Sequence, residues 1–124
     1  METIYTKQAP DAIGPYSQAI VAGELIFPSG QIPIDPATGT VEAQSIEAQT
    51  EQVMKNLQAV LKAAGSDLAK AVKTTCFLSS MDDFAAFNEI YARYFTGKPA
   101  RSCVAVKTLP KNVKVEVEVI AVRG

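Results

Sequence analysis

A stripe of largely apolar positions runs through the middle of the chain at intervals of three and four: Ile46, Thr50, Val53, Leu57, Val60/Leu61 and Ala64. Glu47, Glu51, Lys55 and Lys62 fall between them, so the spacing predicts an amphipathic helix over 46–64. Ser45 stands where a side-chain cap is needed, and Gly65 suits the left-handed residue that ends a helix. A second stripe, Phe84, Phe87, Tyr91 and Phe95, predicts a helix from about Asp82 to Phe95, with Ser80 and Asp83 spaced for a capping box. Elsewhere the period falls to two. Ala19–Ala22 and Leu25–Phe27 read as a hairpin about Gly23-Glu24, with Pro28 ending its second strand. Asp35–Gly39 is a turn, and Val72–Leu78, Arg101–Lys107 and Val113–Val122 read as strands. On the last of these Val113, Val115, Val117, Val119 and Ala121 form an apolar ladder. The opposite face, Lys114, Glu116, Glu118, Ile120 and Val122, passes from charged to apolar.

The order hairpin, helix, strand, helix, two strands indicates an α+β fold, with both helices packed on one face of a mixed sheet. No elements remain to cover the other face, and a large bare apolar face is not tolerated on a monomer, so self-association is expected. The length, 124 residues, makes residues 1–124 a single domain. No apolar run exceeds four residues, far short of the roughly 20 of a membrane span or the 7–15 of a leader core. A cytoplasmic location with no membrane partner is the expectation.

Composition then narrows the chemistry. Twelve basic against thirteen acidic residues give a net charge of −1, without the basic excess that nucleic-acid binding ordinarily draws on. Histidine is absent, which removes the His-based triads and the commonest general base at neutral pH. Cys76 and Cys103 show no metal-ligand spacing and are expected to be free, buried thiols. Carboxylates, hydroxyls, amides, backbone groups and arginine remain.

Four features stand out against that background. Asn88 lies near the centre of the second stripe, where an amide either pins a loop or meets a ligand. Glu118 stands at the charged-to-apolar step of the last strand. Half-desolvation there would raise its pKa and poise it for proton transfer, unless it forms a salt bridge with Lys107, Lys114 or an arginine. Arg101 leaves the rigid Pro99-Ala100 corner on the same face as Cys103; it is a surface charge, or a two-point clamp for a carboxylate. The segments Gly14–Ala19 and Ser29–Pro33 mix glycine, proline, hydroxyls and amides, as turns do and as anion-binding loops do.

Together these residues resemble the RidA family, the reactive intermediate deaminases also called YjgF proteins, over about Ala9 to Val122. The likeness is carried by Ile13-Gly14-Pro15-Tyr16-Ser17-Gln18-Ala19, Ser29-Gly30-Gln31-Ile32-Pro33, Val72-Lys73-Thr74-Thr75, Asp83-Phe84 and Asn88. Pro99-Ala100-Arg101-Ser102-Cys103-Val104 and Val115-Glu116-Val117-Glu118-Val119-Ile120-Ala121 complete it, in that order and spacing. The resemblance implies a chorismate-mutase-like fold in a homotrimer with a barrel-like core, helices outside and clefts between subunits. It implies hydrolysis of 2-imino (2-enamino) acids, released by pyridoxal-phosphate-dependent serine or threonine dehydratases, to 2-oxo acids and ammonia, with no cofactor and no metal. By position, Arg101 would grip the substrate carboxylate, backbone at Gly30 and Cys103 would help hold the molecule, and Glu118 would activate water. Tyr16, Ser29 and Asn88 match positions lining the cleft. The loop Thr96-Gly97-Lys98 is shorter than in many members, which bears on cleft width. Some relatives are described as ribonucleases or translation inhibitors, and others as non-catalytic binders or holdases. Retention of both Arg101 and Glu118 favours catalysis.

Overall fold

A computed structural model of the chain describes residues 1–124. The elements run β1 (Glu2–Ile4), β2 (Ala19–Ala22), β3 (Leu25–Pro28), α1 (Ile46–Ala63), β4 (Ala71–Leu78), α2 (Phe84–Tyr94), β5 (Ala100–Ala105) and β6 (Val115–Val122). α1 starts where Ser45 accepts a hydrogen bond from the Ala48 N–H at 3.1 Å, and Gly65 follows its end at φ +83°. α2 begins two residues later than the stripe suggested. Ser80 caps a short 3-10 turn, Met81–Asp83, by accepting from the Asp82 N–H, and Asp83 makes no side-chain cap. The capping box is therefore only half formed.

The six strands form one sheet in the order β1-β2-β3-β6-β4-β5. Only β4 and β5 pair in parallel, and β6, the last strand made, slots between β3 and β4. The crossovers β3–α1–β4 and β4–α2–β5 lay both helices on one face. There Val53, Leu57 and Leu61 of α1 and Phe87 of α2 meet Ile26, Leu78 and the β6 ladder in a single core. β1 was not legible beforehand, because three residues carry no periodicity. Its hold comes from elsewhere: Ile4 enters the core, and Glu2 pairs with Arg123 at 2.8 Å.

Polar side chains inside this core tie loops to the scaffold. Asn56 of α1 donates to the carbonyls of Ile32 and Ile34 at 3.2 and 2.9 Å, and so fixes the stretch after β3. Gln18 accepts from the Thr6 N–H at 2.7 Å and donates to the Thr6 and Pro10 carbonyls, anchoring the N-terminal segment. No buried side-chain nitrogen or oxygen lacks a partner.

The opposite sheet face is bare, as the element count required. Leu25, Phe27, Val104 and Val122 are 36%, 40%, 46% and 39% exposed, with Ile20, Phe77 and Ile120 partly exposed among them. β5 is also an edge strand, paired only with β4. No helix is long and apolar enough to cross a membrane.

Candidate active site

Arg101 is the second residue of β5, in register with Thr74 of β4, and both side chains lie on the helix side of the sheet. α2 runs alongside and supplies three contacts. Asn88 Oδ1 accepts a hydrogen bond from Arg101 Nη1 at 2.5 Å. The guanidinium carbon lies 4.7 Å from the centre of the Tyr91 ring and 5.5 Å from that of Phe84. An open cleft of about 640 Å³, lined by Asn88, Tyr91, Phe95, Lys98, Pro99 and Arg101 among others, adjoins this group.

The chain has three arginines, and two are neutralised. Arg93 pairs with Glu51 and Glu89, and Arg123 with Glu2. Arg101 has no carboxylate partner and a single hydrogen bond, although it is half-buried. A guanidinium walled by aromatic faces and left without a counter-ion is poised to take a carboxylate from outside. Asn88 neither pins a loop nor stands free; its amide oxygen orients the guanidinium.

Cys103 faces Cys76 across β4 and β5 in register, and both thiols are free. Burial raises both pKa values, that of Cys76 to about 12, so both are protonated at neutral pH and neither is a ready nucleophile.

The carboxylates require a correction. Alternation assigned half-desolvation to Glu118, but that side chain is exposed, lining a depression of about 220 Å³ with Phe27, Lys73, Thr75 and Ile120. It makes no salt bridge with Lys107, Lys114 or an arginine. Glu116, two residues earlier on the same face, is the half-buried one. Burial raises its pKa, and the neighbouring charge of Glu118 raises it further. The cause is the chain just after β3. Gln31 bridges backbone to backbone with Val117 at 2.9 and 3.1 Å, which lays Ser29–Gln31 over that end of β6. Gly30 then sits so close to Glu116 that a Cβ there would collide with the carboxylate. Ser29 is held by its hydroxyl donating to the Ser17 carbonyl at 2.7 Å. Strand periodicity could not reveal this cover, because it comes from a loop 86 positions earlier in the chain (116 minus 30).

Tyr16 is 54% exposed on the loop before β2. Four strand-to-strand steps separate β2 from β5, roughly 19 Å at the usual spacing. The residues singled out by sequence thus fall in three places within one chain. Arg101, Asn88 and Cys103 lie on the helix side near one sheet edge. Gly30, Ser29 and Glu118 lie toward the bare face, where Glu116 joins them, and Tyr16 is near the other edge. No single copy brings the arginine and a carboxylate together.

The profile of the family described as Endoribonuclease L-PSP matches residues 6–123. A RutC family protein of Sinorhizobium fredii is 54% identical over 121 residues, spanning 97% of this chain and 96% of its own. The 2-iminobutanoate/2-iminopropanoate deaminase of Salmonella typhimurium is 48% identical over 126 residues, 98% of each chain. The crystal structure of E. coli TdcF with bound serine superposes with a TM-score of 0.94 at 42% identity, covering all of both chains. About half of all residues shared from end to end, on one scaffold of two helices and six strands, marks common descent, and the chain belongs to the RidA (YjgF/RutC) family.

Proposed function

We propose that the protein hydrolyses small 2-imino acids to 2-oxo acids and ammonia, in clefts between the subunits of a homotrimer. The observation that carries this reading is Arg101: half-buried, flanked by aromatic rings, oriented by Asn88 and without a carboxylate of its own. Such a group suits a small planar acid. A close relative named as an imine deaminase and another solved with a bound amino acid point the same way.

In the proposed reaction Arg101 grips the carboxylate and the free Gly30 N–H helps seat the molecule. Glu116 takes a proton from water as its oxygen attacks the C=N carbon. Glu116 returns that proton to the nitrogen, giving a carbinolamine, then relays the hydroxyl proton to the same nitrogen as the C–N bond breaks, the C=O bond forms and ammonia leaves. An enamine substrate first gains a proton at carbon 3 and loses one from nitrogen to become the imine. Glu116 here takes the role that alternation and the resemblance by position gave to Glu118, because it is the half-buried carboxylate; Glu118 keeps its partner's pKa high. No step calls on a metal or cofactor, in keeping with the resemblance. The endoribonuclease name of the family profile finds less support in this chain, with no histidine and a net charge of −1.

Since Arg101 and Glu116 lie on opposite sides of one sheet, the reading requires a second copy to complete each site, and the bare sheet face is the surface to bury. Light scattering at micromolar concentration is expected to give three times the chain mass; a monomer would remove the shared cleft. The activity itself is tested by coupling the protein to a pyridoxal-phosphate-dependent threonine or serine dehydratase and following 2-oxo acid release. Acceleration beyond spontaneous hydrolysis is expected, and its absence with both dehydratases overturns the reading.

A further inference from the structure

We propose that Tyr91, held by Thr74, is a positioning residue that sets the direction of the Arg101 guanidinium and so the affinity of the site for carboxylates. The inference rests on Arg101 being the carboxylate clamp. Thr74 and Arg101 are register partners on adjacent strands and lie on the same face. Thr74 is wholly buried, and its hydroxyl shares a 2.7 Å hydrogen bond with the Tyr91 hydroxyl. The Tyr91 ring stacks on Phe95 with centroids 4.6 Å apart and planes 29° apart, and touches Phe87 at 5.6 Å. On this immobilised ring rests the guanidinium, 4.7 Å from its centre.

Packing alone does not call for these two hydroxyls. A valine in the strand and a phenylalanine in the helix would fill the same space without burying polar atoms. The paired hydroxyls instead tie the ring of α2 to the strand beside Arg101 and fix the ring's tilt. An arginine with one hydrogen bond, to Asn88, can pivot about it; a ring packed 4.7 Å from the guanidinium carbon limits that pivot. The edge left over, without a protein partner, then points one way. Burial raises the pKa of the Tyr91 phenol, so it stays neutral beside the arginine and does not compete with an incoming anion.

The test is calorimetric titration of the full-length protein with 2-oxobutanoate, a 2-oxo acid that reads the clamp without turnover. Tyr91→Leu is expected to weaken binding about tenfold. Tyr91→Phe and Thr74→Val should each weaken it about two- to threefold, and the double variant little more than either, since both remove the same hydrogen bond. Phe87→Leu removes a ring from the same stack without touching Arg101. It should lower the unfolding midpoint yet leave affinity within about twofold. In turnover assays KM should rise in the Tyr91 variants while kcat holds. Unchanged affinity in Tyr91→Leu, or an equal loss in Phe87→Leu, overturns the proposal. Absent binding by the parent protein removes the clamp and the proposal with it. The expected binding pattern without imine turnover supports the positioning role while removing the hydrolase reading.

Discussion

Glu116→Gln is expected to lower imine turnover by about 10²–10⁴-fold, the range for losing a general base, while raising the unfolding midpoint at neutral pH. Glutamine keeps the size and fits against Gly30 but accepts no proton. The stability gain follows from the raised pKa of Glu116. A carboxyl whose pKa is higher in the folded chain than in the unfolded one binds its proton more tightly when folded. Its stabilising contribution is complete below the unfolded value, near the usual 4.3, and declines as pH rises through the raised folded value. At pH 7 the ionised side chain is therefore a cost that the amide removes, and the advantage of the variant should shrink as pH falls into the ordinary carboxylate range. Thermal melts at several pH values, alongside coupled turnover assays, read both effects on one sample. Glu118→Gln provides the contrast. It should keep most turnover and shift the acidic limb of the pH–rate profile downward, because a like charge that holds up the pKa of Glu116 is gone. Full activity in Glu116→Gln with loss in Glu118→Gln would return the role to Glu118.

Arg101→Lys is expected to cost roughly a hundredfold or more in kcat/KM, with folding unchanged, since misplacing the bound substrate by about 1 Å has that effect. Lysine retains the positive charge but offers a point in place of a planar fork. It also gives up the cation–π contact of the guanidinium with Tyr91 and the geometry of the bond to Asn88. No carboxylate of this chain is left unpaired by the change, because Arg101 has no ion pair to lose. Stability should therefore hold, and circular dichroism with a thermal melt checks it. Near-native turnover by the lysine variant would mean that charge alone suffices and that the two-point grip is wrong.

Much of the scaffold was legible because its signals are local. The 46–64 stripe, Ser45 and Gly65 specify α1 within a residue, and Gly23 at φ +61° makes the hairpin that its flanking apolar runs imply. β1 and the 3-10 start before α2 were not legible, since three-residue elements are set by what lies beside them. The site divides along the same line. Arg101 was marked by its corner and its scarcity. The meaning of Asn88 was open, because an amide on an apolar stripe says only that it has a partner.

Both helices, five of the six strands, the bare sheet face and the chemistry on offer are readable from the residues alone: no histidine, three arginines, and carboxylates on the last strand. Periodicity and composition depend on near neighbours in the chain, so these features are set locally. Long-range packing places β6 between β3 and β4, and lays Ser29–Gln31 over Glu116 while leaving Glu118 bare. It also sets Arg101 between Tyr91 and Phe84 with no counter-ion. Desolvation and ion pairing are properties of what is brought close from far along the chain, and alternation within one strand carries no record of it.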